Sequence, residues 1–179
     1  FAVNPGCILI ALRFDIEDKA MKNISEFLHK LDKIRFNSNY LVHKADIEKL
    51  RSDISAIRAR NLKVGLMDNY LWKYESSPYG NAECWVAFHK PSEKYIGAAS
   101  LYPRVVYVKG ESQNIWVAGD FSVDKDHRGT GLSIRILLDM WKAILGDEKY
   151  SWLYSVPNLK SKPLLYKGGA IKLGSHNKY

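Results

Sequence analysis

Two hydrophobic rhythms alternate along the chain. Residues 7–14 (CILIALRF), apolar except for Arg13, form a run of strand length and predict a buried strand. Over residues 15–34 the apolar positions Ile16, Met21, Ile24, Phe27, Leu28 and Leu31 recur every three or four residues, which predicts an amphipathic helix. Residues 35–40 (RFNSNY) have turn composition. A second helix is predicted over 45–62, with Ile47, Leu50, Ile54 and Ile57 on its apolar side. Glu48, Lys49, Arg51 and Arg58 read as the solvated face of that helix. After a polar and aromatic loop at 68–81, carrying Tyr70, Trp72, Tyr74 and Tyr79, the period shortens to two. Strands are predicted at 83–89, 94–101, 104–109 and 114–123, with KGESQ at 109–113 as a hairpin turn. Residues 131–146 return to helical spacing, with Leu138, Trp141 and Leu145 inward and Arg135, Asp139 and Lys142 outward. A strand at 150–156, a short helix or loop at 157–167 and a final strand at 170–174 complete the pattern.

That order predicts a mixed α/β (α+β) fold with a largely antiparallel central sheet flanked by helices. The main domain is expected over 41–179. Residues 1–40 are expected to form a small accessory strand–helix segment.

Composition changes the picture little. The 179 residues are 46% hydrophobic and 26% charged, which is ordinary for a globular domain. A net charge of +8 points to partners bearing phosphate or carboxylate. The lysines and arginines are scattered and no RNA motif is present, so nucleic acid is not the expected partner. Cys7 and Cys84 sit in apolar runs without metal-type spacing, which predicts buried free thiols, no metal site and a reducing cytoplasm. No apolar run approaches the roughly 18 residues that cross a bilayer, and CILIAL is short for a signal peptide.

The chemistry concentrates at GDFSVDKDHRGTGLSIRILLDMW, residues 119–141, where a strand passes through a charged turn and two glycines into a helix. Such a junction gathers unpaired backbone N–H groups and binds anions. Arg128-Gly129-Thr130-Gly131 lacks both the dinucleotide spacing and the Walker lysine. Glycine at 129 and 131 and the small Ser133 would still admit a pyrophosphate to the backbone. The alternative is a tight turn and nothing more.

The stretch from Val123 to Ser133 resembles motif A of the GNAT superfamily of acyl-CoA-dependent N-acyltransferases, V-x-P-x-x-[RQ]-x-x-G-x-[GA]. Arg128 and Gly131 match its defining positions. Lys125 replaces the common proline, and Ser133 departs from Gly or Ala but stays small. Asn158-Leu-Lys-Ser161 and Tyr166-Lys-Gly-Gly169-Ala170 are similar to the family's later N-x-x-[AS] and Y-x-x-x-G-F elements, with Ala170 in place of the aromatic. The resemblance covers residues 46–174.

It implies an enzyme that transfers an acyl group, acetyl first among them, from acetyl-CoA or another acyl-CoA to a primary amine of a small molecule. The N–H groups of Arg128, Gly129, Thr130, Gly131, Leu132 and Ser133 would cradle the pyrophosphate. Phe121, Ser122 and Val123 would pair with the pantetheine arm, which Asn158 also contacts, and an N–H near Val123 would polarise the thioester carbonyl. Tyr166 is the expected general acid for the thiolate. Asp120, the only acid in its strand, is the expected base. His127 is a weaker candidate for the CoA phosphates, and Glu83 and His89 are weaker still. An amino sugar or sugar nucleotide is the expected acceptor, shaped by residues 46–81, and a homodimer is compatible with the family. The competing expectation is a degenerate member of the fold that binds acyl-CoA or a partner without turnover.

Overall fold

The computed structural model describes residues 7–13, 26, 29, 35–65, 67, 69–144, 149–150, 152–157, 161–167 and 170–176. The helix expected over 15–34 lies outside the described residues apart from helical positions 26 and 29.

The described strands are β1 (Cys7–Arg13), β2 (Tyr40–Lys44), β3 (Glu83–His89), β4 (Lys94–Val108), β5 (Glu111–Val123), β6 (Trp152–Ser155) and β7 (Ile171–His176). They form one mixed sheet in the order β2-β3-β4-β5-β6-β1-β7. All pairings are antiparallel except β5 with β6, which is parallel. The accessory segment expected over 1–40 therefore contributes its strand to the main sheet, where β1 lies between β6 and β7.

Three differences from the sequence reading have simple causes. The two strands expected at 94–101 and 104–109 are one, running through Pro103. β3 ends its pairing opposite Leu101, so on that edge Pro103 has no ladder bond to lose. The hairpin turn is shorter than KGESQ: Lys109 (φ 53°) and Gly110 (φ 89°) turn alone, both left-handed as a two-residue hairpin requires. β2 replaces the end of the expected turn, as an edge strand whose pattern of exposure hides it from periodicity.

Helix α1 (Arg51–Leu62) covers one face of the sheet. Ile54 and Ile57 pack there with Tyr70, Tyr74, Val86, Ala98 and Tyr102. Helix α2 (Leu132–Ile144) covers the other, with Ile136, Met140 and Trp141 among Trp85, Ala99, Trp116 and Val123. Between α1 and β3, Leu71–Glu75 forms a single π-helical turn within the aromatic loop. A third helix, α3 (Lys162–Lys167), precedes β7. Cys84 is a free, buried thiol that burial pushes up to about 12.

Candidate active site

The site begins as a fault in two strand pairings. β5 and β6 pair from Ile115–Trp152 to Ala118–Ser155 and no further, while β5 runs on to Val123. Opposite, β4 pairs Ser100 with Gly119 and Ala98 with Ser122, so Asp120 and Phe121 together face Ala99. This is a β-bulge, which bends a strand and disrupts its ladder. Asp120 takes the left-handed conformation within it (φ 49°). A Cβ at Gly119 beside it would stand 3.1 Å from the Tyr102 ring, so a larger residue there would press that ring outward by a few tenths of an ångström.

Beyond the last β5–β6 pair opens a cleft of about 220 Å³. Phe121, Leu153, Val156 and Leu165 line it, with Met140 and Trp141 of α2. On the opposite side of the bulge lies a second cavity of about 370 Å³, lined by Arg58, Lys63, Asn69 and Lys73. Asp120 and Leu62 line both cavities, and so mark the boundary between them.

At the end of β5 the chain forms the glycine turn. Gly129 (φ 79°) and Gly131 (φ 80°) are both left-handed, the conformation that favours glycine. Ile134 and Arg135 donate backbone N–H bonds to the Gly131 carbonyl at 3.0 and 3.1 Å, which starts α2. The N–H groups at the head of such a helix have no carbonyl one turn earlier, and its dipole favours an anion there. The exposed Arg128 side chain folds back onto the end of β5 and α1: Nε donates to the Val123 carbonyl at 2.8 Å and a terminal nitrogen donates to Asn61 Oδ1 at 3.1 Å. Asn61 also donates to Asp124, which Arg60 pairs at 3.0 Å. The C-terminal end of α1 thus braces the turn.

Asp120 sits among groups that stabilise its charge. Lys73 Nζ lies 3.1 Å from each carboxylate oxygen. The Tyr102 hydroxyl donates at 2.7 Å and that of Tyr74 at 3.1 Å. Arg58 Nε lies 2.8 Å away, as an ion pair rather than an aligned hydrogen bond. Burial alone would raise the carboxyl's pKa, but the Lys73 charge, the Tyr102 hydrogen bond and Arg58 outweigh it and lower it below the usual 3.8. Burial pushes the phenols of Tyr74 and Tyr102 well up, so both remain donors.

Several of these partners were missed in the sequence. Arg58, read as solvated, is 3% exposed and paired with Asp120. Its i+4 spacing from Ile54 places it on the buried face, which was the available signal. Lys73 and Tyr74 lie in the aromatic loop but carried no motif.

The structure brings Asp120 and Phe121 to the cleft, with Val123 buried under α2 and Ser122 buried beside it. Arg128, Gly129, Thr130, Gly131, Leu132 and Ser133 form the turn and helix start, where Thr130 Oγ1 donates to the His127 carbonyl at 2.8 Å. On α3, Leu165 lines the cleft, whereas Tyr166 is 37% exposed and stands outside that lining, with Lys162 Nζ 5.6 Å from its ring. Asn158 lies outside the described residues. His127 Nδ1 is 3.1 Å from the Tyr40 hydroxyl, and its ring contacts His89 at 4.5 Å. Glu83 pairs with Lys44 at 2.7 Å. Among the described residues no group of three or more metal-ligating side chains gathers, and no helix is long and apolar enough to cross a membrane.

Comparison with solved structures identifies the architecture. Glucosamine-6-phosphate N-acetyltransferase from Arabidopsis thaliana superposes with a TM-score of 0.56 at 17% identity, covering 78% of this chain and 97% of that one. An aminoglycoside acetyltransferase from an uncultured soil metagenomic sample gives 0.54 at 13%, covering 81% and 98%. A tandem GNAT protein from the clavulanic acid biosynthesis pathway gives 0.57 at 12%, covering 94% of this chain and 50% of that one. No protein-family model matches the sequence, and no curated protein matches it.

Proposed function

Starting from its GCN5-related N-acetyltransferase fold, we propose that this chain transfers an acyl group, in the first instance acetyl, from acyl-CoA to a primary amine of a small molecule. The observation that carries the reading is the placement of Asp120, between a cleft that opens where β5 leaves β6 and a second, cationic cavity.

In this reading the donor's pyrophosphate rests on the N–H groups of the turn from Arg128 to Ser133. Its pantetheine arm enters the cleft along Phe121, Ser122 and Val123, with Asn158 as a further contact. An N–H near Val123 polarises the thioester carbonyl. The amine arrives from the cavity beside α1 and attacks the carbonyl carbon. A C–N bond forms, the C–S bond breaks, and CoA leaves as a thiol. The amine nitrogen becomes strongly acidic once its lone pair is shared, so Asp120 can take that proton despite its lowered basicity. Tyr166 supplies the proton to the departing sulfur, after a side-chain rotation that brings its hydroxyl to the cleft. Amino sugars and sugar nucleotides are the acceptors we favour.

A second reading is supported by the neutralisation of Asp120 by two cations and by the outward placement of Tyr166. Here the chain binds acyl-CoA or a partner without turnover. Release of CoA thiol from acetyl-CoA across a panel of amines separates the two: amide product supports transfer, and CoA binding without thiol release supports the second reading.

A further inference from the structure

Lys73 is itself a primary amine, and it stands where an acceptor nitrogen is needed. The π-helical turn Leu71–Glu75 carries it to the β5 bulge, where Nζ lies 3.1 Å from each oxygen of Asp120 and 4.8 Å from the centre of the Tyr102 ring. Lys73 lines the cavity on the α1 side, and Asp120 lines both that cavity and the cleft beyond β6. The nitrogen is thus held against the carboxylate that would take an acceptor's proton, at the boundary an incoming amine has to reach. Neighbours in the same turn fix it there. Glu75 accepts from Arg51 Nε at 2.8 Å, and the buried Tyr74 donates its hydroxyl to Asp120 at 3.1 Å.

We propose that Lys73 is an acyl acceptor, so that the chain transfers an acyl group from acyl-CoA to its own Lys73 Nζ. This rests on the acyltransferase reading and adds a modification site to it. The ammonium first gives one proton to water in the cavity. The neutral nitrogen attacks the thioester carbonyl, a C–N bond forms and its surplus proton passes to Asp120. The C–S bond breaks, and the sulfur takes a proton and leaves as CoA thiol. The sum is one ammonium and one thioester giving one amide, one thiol and one released proton. The amide carries no charge, so Asp120 loses one of its two cations. Its nitrogen lone pair is delocalised, which stops the reaction at one acyl group on this residue.

The test uses the full chain with acetyl-CoA and no added amine. Peptide mass mapping should find an acetyl group on Lys73 before Lys49, although the Lys49 side chain is 83% exposed and that of Lys73 24%. Acetic anhydride, which needs no donor site, should reverse that order. Excess CoA should suppress labelling of Lys73 and leave Lys49 unchanged. The first-order rate should stay constant as the protein is diluted, as transfer within one chain requires. Asp120→Asn should slow labelling of Lys73 at least about tenfold; if that variant fails to fold, the wild-type order of labelling and its suppression by CoA decide. Lys49 labelled first by acetyl-CoA, or labelling of Lys73 indifferent to excess CoA, overturns the proposal. Acetylation of an added amine with Lys73 unmodified also overturns it, and leaves the acyltransferase reading in place. A wild type that binds no CoA overturns both.

Discussion

Arg58, near the end of α1, reaches across the sheet face to lie 2.8 Å from Asp120 in the β5 bulge. The guanidinium side chain is 4% exposed and the carboxylate 13%. This pair fastens a helix to the one non-glycine position in β5 whose φ is left-handed, a backbone state that costs about 1–3 kcal/mol and persists only when its surroundings enforce it. Breaking a buried pair from one side costs about 3–5 kcal/mol. Arg58→Met should therefore destabilise the fold by about 3 kcal/mol in urea denaturation. A change near zero would mean that Lys73, Tyr74 and Tyr102 hold the bulge without it.

Asp120→Asn should lower turnover at least about tenfold, the low end of what a positioned proton acceptor contributes. It should also alter acid stability. The folded-state pKa of Asp120 is depressed below the ordinary 3.8, so its ionised form contributes stability that is complete above 3.8 and is lost as pH falls from 3.8 through the lower folded-state value. Urea midpoints measured between pH 5 and pH 3 should fall more steeply for wild type than for Asp120→Asn. Parallel curves would show that the carboxylate is not held in its charged state.

Gly131→Ala tests the turn. A Cβ there would meet Phe36 at 3.8 Å, an ordinary contact, so the cost comes from φ 80° and not from crowding. CoA affinity should fall several-fold, for a strain of about 1 kcal/mol. Calorimetry with CoA reads this directly, and unchanged affinity would remove Gly131 from the donor site.

Asn61 receives Arg128 and donates to Asp124, yet touches neither cavity. Asn61→Ala should raise the KM for acyl-CoA while leaving the KM for the amine near wild type, because it loosens the turn without altering the acceptor cavity. Equal changes in both constants would point to a general loss of structure.

Tyr166→Phe should reduce turnover at least about tenfold if the hydroxyl protonates the thiolate. Because Tyr166 stands outside the cleft lining, it is the most exposed of these assignments to refutation, and an unchanged rate would remove it.

The regular parts of this fold were legible because they depend on local spacing. Ile54 and Ile57 announce α1, Leu138 and Trp141 announce α2, and Gly129 and Gly131 locate the strand-to-helix turn. The bulge was not legible. Gly119-Asp120-Phe121 reads as plain strand, and only pairing with Ala98 and Ser100, about twenty residues away in sequence, turns one residue out of register. The charge of Asp120 was equally hidden, since its partners come from Arg58, Lys73, Tyr74 and Tyr102 on three separate elements. The sequence showed Asp120 to be the only acid of the strand expected at 114–123. It did not reveal that two cations meet this residue, which changes what the carboxylate can do.

The central claim is that this chain makes amides from acyl-CoA. Purified protein incubated with acetyl-CoA and a panel of amino sugars, their phosphates and amino acids should release CoA thiol and acetylated amine in a one-to-one ratio, as read by thiol titration and mass spectrometry. Saturable CoA binding with no acetylated product from any amine, under conditions where the protein remains folded, would contradict it.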